Sequence, residues 1–448
     1  MTPFEDFLFY DAQRGISPES LADAVTILRF SGPLDFSRWE RAISATLEHH
    51  PTASCFVQFH SDGTLGWKQN PQKQVSRLVQ VSEFSFPLPP LQIQQEPGLK
   101  FWLCASPDSN SFQVWFQFHH VTTDALGSFR FLEEIFERYA AETTDGPTDF
   151  EAEFPADVEL DVNQAVKPRV TSALVRAAVW QILTFPFRCK PRELHSLPAL
   201  TGEKSAVEKS SSKQKTEKPI FQTLTREETQ KWLDLAHEQG VSVNDLILAA
   251  AFRATEKFPA NGTLHSGKKP VQIAVPVNTR SGRFLQMPLG NLVSVVFLRA
   301  SRSVLRRPDS GLLRWIHRQM EPGRKKTRAD LLLQELKWLC AWRWDGNRRW
   351  GMKWFTSRKT PLATLVVSNL GVLFRNSRLP RTEDGRLKIG PLTLDRVEQI
   401  SPRTTDASLT LAVGTYADRL HFGLNWDVKR VRREDAEEFL KILGEADQ

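Results

Sequence analysis

Cysteine is scarce in this chain: Cys55, Cys104, Cys189 and Cys340 are the only four in 448 residues, with no CxxC pair and no Cys/His metal spacing. That excludes a disulfide scaffold, leaves no structural zinc site to expect and points to a reducing, cytoplasmic setting. The first residues, Met1-Thr-Pro-Phe-Glu-Asp6, hold neither a basic leader nor an apolar run, so no signal peptide is expected. Long apolar runs are missing too. The most apolar stretch, Val170–Phe187, is interrupted by Arg176 and Pro186 and is too short to predict a membrane span. No short internal repeat is visible.

Charge of one sign is locally absent. Residues 142–161 hold eight acids and no base, whereas residues 301–360 hold sixteen Lys/Arg against five acids. The net charge of +7 therefore belongs to one region and does not coat the protein. The same basic region carries six of the thirteen tryptophans (Trp315, Trp338, Trp342, Trp344, Trp350, Trp354), and Leu332, Leu336 and Leu339 form one helical stripe in it. Three readings are open: a core-packing helix with a solvated basic face, an interfacial element on an anionic membrane, or a surface for CoA phosphates or an acidic carrier protein. No nucleic-acid motif accompanies the charge, so nucleic acid is not an expected partner.

What is present is a mixed pattern of strands and helices in two halves. A strand over 24–30 precedes a helix over Leu34–His49, with Phe36, Trp39, Ile43 and Leu47 on one side. Strands near 54–59, 100–105 and 112–118 follow, then a helix over 126–139. Residues 203–218 are almost free of apolar side chains and mark a solvated linker. The second half opens with capping boxes at Thr225/Glu228 and Ser242/Asp245 and continues with strands near 272–280, 291–298, 363–367, 409–415 and 420–426. The division expected is 1–165, a crossover and linker over 166–219, and 220–448.

One hexapeptide carries chemistry. His119-His120-Val-Thr-Thr-Asp124 follows the strand Phe112-Gln-Val-Trp-Phe-Gln-Phe118 directly. An imidazole titrates near neutral pH and can take a proton from a hydroxyl, amine or thiol. Consecutive strand residues face opposite ways, so one of His119 and His120 faces a given cavity, and alternation alone does not decide which. Asp124 can orient a histidine or pair with an arginine. A second pair, His49-His50, is followed by Pro51 and lacks an aspartate at the same spacing; it reads as a helix end.

This hexapeptide resembles the HHxxxDG signature of the CoA-dependent acyltransferase superfamily, which includes chloramphenicol acetyltransferases, condensation domains of peptide synthetases, plant-type acyltransferases and wax ester synthases. Further segments resemble the family in the same order: Phe30-Ser-Gly-Pro-Leu-Asp35 with Glu48-His-His-Pro51, Leu132–Tyr139, Val241–Leu248, Val275-Pro-Val-Asn-Thr-Arg280 with Leu289-Gly-Asn291, and Val366-Val-Ser-Asn-Leu-Gly371. The motif lies about a quarter of the way along, as in two-lobed members, and no DFGWG segment of the plant-type branch is present. The chain is thus similar to free-standing condensation-like, alcohol acyltransferase-like or wax-ester-synthase-like proteins.

The resemblance implies an α/β protein of two chloramphenicol acetyltransferase-like lobes with the active-site tunnel between them. It implies His120 as general base, with His119, Asp124 and Arg280 as structural supports, Asp124 pairing with Arg280. Ser368, Asn369 and Gly371 would line the channel, and Ser368 or a backbone N–H would steady the oxyanion. Ala125 stands where the family motif has glycine, and its methyl bears on which substrates pass. The activity implied is transfer of an acyl group from acyl-CoA or an acyl carrier protein acting in trans to an alcohol or amine. No metal and no permanently bound cofactor is implied, and a monomer is expected. The alternative is a non-catalytic condensation-like module that binds a carrier protein or acyl chain; a third reading is a peripheral lipid-synthesis enzyme.

Overall fold

A computed structural model describes residues 1–12, 23–61, 63–69, 78–84, 86–105, 110–142, 172–184, 190–195, 217–258, 269–280, 287, 289–341, 350–357, 361–404 and 406–445. The linker at 203–216, most of the acidic stretch, Trp342 and Trp344 lie outside these residues.

Helix α1 (Pro3–Ala12) begins at a capping box. The Thr2 N–H donates to Glu5 Oε2 at 2.7 Å, and the Glu5 N–H donates to Thr2 Oγ1 at 3.2 Å. Pro3 at the first helical position is pre-set for the turn. Strand β1 (Asp23–Ser31) leads to α2 (Phe36–His49), which Asp35 caps by accepting the Arg38 N–H at 2.9 Å. A small hairpin, β2 (Phe56–Phe59) and β3 (Leu65–Lys68), is followed by β4 (Leu78–Gln80), β5 (Leu99–Ala105) and β6 (Ser111–His119). Helix α3 (Ala125–Ala141) follows, capped by Asp124, and then α4 (Ser172–Thr184).

The second half supplies β7 (Ile220–Thr223), α5 (Arg226–Glu238) and α6 (Val243–Lys257). Both helices begin at closed capping boxes, on Thr225/Glu228 and Ser242/Asp245. Gly240 ends α5 at a φ of 61°, a conformation that side chains with a Cβ rarely adopt. Next come β8 (Val271–Asn278), β9 (Val293–Ala300), the short α7 (Arg302–Leu305), α8 (Asp309–Met320), α9 (Pro322–Ala341) and α10 (Trp350–Thr356). The chain finishes with β10 (Leu365–Val372), β11 (Lys388–Ile389), β12 (Leu392–Ile400), β13 (Leu409–Tyr416), β14 (Arg419–Trp426) and α11 (Arg433–Gly444).

Twelve of the fourteen described strands form two six-stranded sheets, in the orders β11-β12-β1-β6-β5-β4 and β7-β14-β13-β10-β8-β9, while β2 and β3 pair apart. The division read from sequence places all of 220–448 in the second lobe. Strands β11 and β12 depart from it: β12 pairs antiparallel with β1, Val25 opposite Ile400, so the second half lends two strands to the first sheet. Helices α2 and α3 cover that sheet, burying Trp39, Phe136 and Tyr139 against Phe30 and Phe112. Trp232, Phe252 and Phe439 from α5, α6 and α11 bury against the second sheet with Leu411 and Phe422. Each such aromatic contributes several kcal/mol, since truncation of a buried Phe or Trp to Ala costs roughly 3–5 kcal/mol.

The leucine stripe of the basic segment goes into a third cluster. Leu336, Leu339 and Met352 bury against Phe4 and Phe9 of α1, with Leu332 and Trp354 beside them. Its apolar face is therefore occupied by packing. Among the described residues, no helix is long and apolar enough to cross a membrane.

Candidate active site

The seam between the two sheets is where the motif lies. Strand β6 ends at His119, and the chain turns at His120, so His120 escapes the alternation of the strand. Three backbone hydrogen bonds hold this turn: His119 N–H to the Gly98 carbonyl at 2.9 Å, Thr122 N–H to the His119 carbonyl at 2.9 Å, and Gly290 N–H to the Thr122 carbonyl at 3.1 Å. Gly98 has no room for a side chain, because a Cβ would stand 2.0 Å from Thr122 Oγ1. Gly290 has φ of 85°, which points the next residue, Asn291, back at the histidine turn.

His119 is buried, and its Nδ1 accepts the Val121 N–H at 3.2 Å. Burial, with the neighbouring His120 adding to it, pushes its pKa down to about 3. It is a neutral structural imidazole with its proton on Nε2.

His120 lines a cavity between the sheets. Its Nδ1 lies 3.1 Å from Asn291 Oδ1. The hydrogen-bond network assigns the orientation of Asn291, because its Nδ2 donates to the carbonyls of His120 at 2.8 Å and Val121 at 2.9 Å. Its Oδ1 must then be the atom facing His120, and an oxygen can only accept. His120 Nδ1 therefore carries the proton, and Nε2 presents its lone pair.

Asp124 does not touch either histidine through the hydrogen bonds its carboxylate makes. Oδ1 accepts the Gly127 N–H at 2.9 Å, and Oδ2 accepts Arg280 Nη1 at 2.8 Å and the Leu292 N–H at 2.9 Å. Both side chains are nearly sealed from solvent, 1% exposed for Arg280 and 6% for Asp124. Burial raises the Asp124 pKa, but the Arg280 charge and the hydrogen bonds outweigh it and hold the carboxyl below its ordinary range. The pair ties the start of α3 to the β8–β9 connection, so it fixes the shape of the loop that carries His120.

Ala125 is the first residue of α3 and lines the cavity, as does Ser368 on β10. Asn369 and Gly371 were expected on the channel and are not among its lining residues. Successive strand side chains face opposite ways. Val366 and Ser368 face the cavity, while Asn369 Nδ2 donates to Asn244 Oδ1 of α6 at 3.2 Å and its Oδ1 accepts the Gly371 N–H at 2.9 Å. Gly371 is exposed, at a φ of 69°.

The other histidine pair lies elsewhere, at the end of α2. His49 Nδ1 and His50 Nε2 reach the two oxygens of Glu134 at 2.9 and 2.8 Å, and Arg138 also pairs with Glu134 at 2.7 Å. Two histidines and a carboxylate can ligate a metal. Here the guanidinium already neutralises Glu134, and a divalent ion would add uncompensated charge at a buried point. The cluster pins α2 to α3.

Two contributors escaped the sequence reading. Asn291 was visible only as part of a Gly-Asn dipeptide. Glu5 is buried on α1, and its Oε1 accepts the Asn291 N–H at 3.3 Å. Burial raises the Glu5 pKa. The signal for α1 was present in Thr2-Pro3-Phe4-Glu5, a capping box with proline at the first helical position.

No protein-family model and no curated protein matches the sequence. Solved structures do. The first condensation domain of the CDA synthetase matches with a TM-score of 0.64 at 14% identity, over 100% of this chain and 95% of that one. A mutant starter condensation domain of rhizomide synthetase, in complex with C8-CoA and Leu-SNAC, matches at 0.67 and 14%, over 100% and 94%. The trichothecene 15-O-acetyltransferase from Fusarium sporotrichioides matches at 0.68 and 11%, over 99% and 93%. The described residues share the two-sheet fold of these condensation domains and of this acetyltransferase.

Proposed function

We propose that this protein is an acyltransferase that moves an acyl group from a thioester, either acyl-CoA or an acyl carrier protein supplied in trans, to a hydroxyl or amine. The observation that carries the reading is the Asn291 contact: its oxygen accepts from His120 Nδ1, which holds the ring proton there and leaves Nε2 as the basic nitrogen of a residue that lines the cavity. A base so prepared typically contributes ~10²–10⁴ in rate.

In the reaction, His120 Nε2 takes the proton of the acceptor as its oxygen or nitrogen attacks the thioester carbonyl. The carbonyl oxygen becomes an oxyanion, for which the Ser368 hydroxyl on the same cavity is the donor. Collapse re-forms the carbonyl and breaks the carbon–sulfur bond, and the proton on Nε2 passes to the departing sulfur. Asp124 and Arg280 hold the loop and take no proton. The shared fold and the thioester-related ligands of the rhizomide synthetase domain support the class of donor.

The test is thiol release from a panel of acyl-CoAs with alcohol and amine acceptors. Wild type should exceed His120→Ala by ~10²–10⁴ with at least one pair. Equally slow release by both proteins across the panel overturns the reading.

A further inference from the structure

Helix α1 does two jobs with two faces. Glu5, Asp6, Phe9 and Tyr10 are buried, and Phe9 lies with its ring edge-on to Tyr10 and Phe59, 5.6 and 5.8 Å between centroids. The other face, Phe4, Phe7, Leu8, Asp11 and Ala12, lines the cavity that contains His120. Those positions are spaced i, i+3, i+4, i+7 and i+8, one continuous stripe of a helix. An apolar stripe of this kind normally packs on protein. Here Phe7 and Leu8 stay half-buried: they touch the third cluster, Phe7 with its ring 6.0 Å from that of Phe355, and also border the cavity.

The opposite wall is built from small and apolar side chains two apart on their strands: Ala274 and Pro276 on β8, Val295 and Phe297 on β9, and Val366 on β10 before Ser368. The helix is pinned at both ends of the stripe. Glu5 accepts the Asn291 N–H beside the histidine, and the Thr404 hydroxyl donates to Asp11 Oδ2 at 3.4 Å at the other end. The wall therefore has a set position relative to His120.

The cavity is partly open to solvent and offers about 190 Å³. An apolar cavity of about 150 Å³ holds a six-carbon ring, so this one matches an apolar group of about eight carbons. We infer that α1 is the wall that sets the size of the acyl group, and that the cavity takes an aliphatic chain of about eight carbons lying against Phe4, Phe7 and Leu8. This inference rests on the acyl-transfer reading of the same site for the identity of the chain as acyl.

The experiment measures binding apart from turnover. S-alkyl thioethers of N-acetylcysteamine, with chains of two to fourteen carbons, cannot react and are titrated calorimetrically into the full-length protein. Affinity should rise about fourfold per methylene to about eight carbons and then stop rising or fall. Ala274→Phe should move the break to shorter chains. Phe7→Ala and, independently, Leu8→Ala should move it to longer ones. A steady rise through fourteen carbons, no dependence on length, or a break that none of the three variants moves overturns the inference. A length break that moves as stated, in a protein that releases no thiol from any acyl-CoA, leaves the cavity assignment standing and sinks the acyl-transfer reading instead.

Discussion

The pair Asp124–Arg280 offers a quantitative test of how the site is held. Replacing Asp124 by asparagine keeps the shape and removes the charge. One amide oxygen can still accept the Gly127 N–H or the Leu292 N–H. The amide nitrogen then faces a donor, whichever way it is turned. Among the described residues Arg280 meets no second carboxylate: Nε donates to the Met287 carbonyl at 3.3 Å and Nη1 reaches Asn278 Oδ1 at 3.5 Å. Its 1% exposure leaves water no route to solvate the orphaned charge. Removing one member of such a buried pair costs about 3–5 kcal/mol.

Arg280→Met alone should cost a similar amount. The double variant Asp124→Asn/Arg280→Met buries no charge, so its cost should fall short of the sum of the singles by about 2–3 kcal/mol. Urea unfolding of the four proteins, read by tryptophan fluorescence, closes the cycle. Additivity within about 0.5 kcal/mol would refute the pairing as the loop's restraint. The same proteins separate restraint from charge relay. The folded fraction of Asp124→Asn should keep the pH dependence of wild-type turnover, because Asp124 does not bond to His120. A lost or displaced acidic limb in a folded variant would show that the carboxylate acts on the histidine after all.

Asn291→Ala removes the acceptor from His120 Nδ1 and should lower kcat/KM by ~10²–10⁴; in nitrogen-15 NMR spectra the wild-type His120 ring should show Nδ1 protonated, and a dominant Nε2–H signal would contradict the assignment. Gly98→Ala should destabilise the fold by about 1–3 kcal/mol through the clash with Thr122, and Thr122→Ala in the same chain should recover part of it; no recovery would place the cost elsewhere. Two buried groups at the start of β1 and end of β6 titrate in opposite senses. His119, at about 3 when folded against 6.5 ordinarily, destabilises the fold as pH falls below 6.5, because the unfolded chain binds the proton first. Asp23, raised by burial to about 6 against 3.8, stabilises the fold as pH falls from 6 towards 3.8, because the folded chain binds its proton first. The two slopes nearly cancel between pH 4 and 6, so Asp23→Asn should steepen the loss of stability on acidification by about 1.4 kcal/mol per pH unit; an unchanged slope refutes the opposition.

Local chemistry made much of the fold readable. The boxes at Thr225 and Ser242, the Gly240 stop and the alternation of β6 are written in residues a few positions apart, and they act within one turn or one strand. The strand order is different. That β12 joins β1 depends on a pairing across some 375 residues, Val25 with Ile400, for which neither segment carries a local mark. Strand β12 itself, Leu-Thr-Leu-Asp-Arg-Val-Glu-Gln-Ile, mixes charges with its apolar positions because Leu392, Leu394, Val397 and Ile400 are buried while polar positions between them stay half-buried, and Glu398 pairs at 3.1 Å with the partly exposed Arg29.

The site divides along the same line. His119, His120, Asp124 and Arg280 could be named through the resemblance of their motifs, since a motif is a local record of chemistry. The resemblance also implied His120 as the base, but which of its two nitrogens carries the proton was not legible. That followed from an asparagine 171 positions away, oriented by two carbonyls, whose oxygen permits one tautomer. The stripe on α1 was equally silent: a helix pattern states that one face is apolar, and only the packed molecule shows whether that face meets protein or an open cavity. Sequence by itself thus determined many of the elements, the caps of α5 and α6 and the reactive residue types. Tertiary structure decided the proton's place on His120, turned Asn369 away from the cavity while Ser368 stayed, and set α1 as its wall, because each of these depends on atoms brought together from distant parts of the chain.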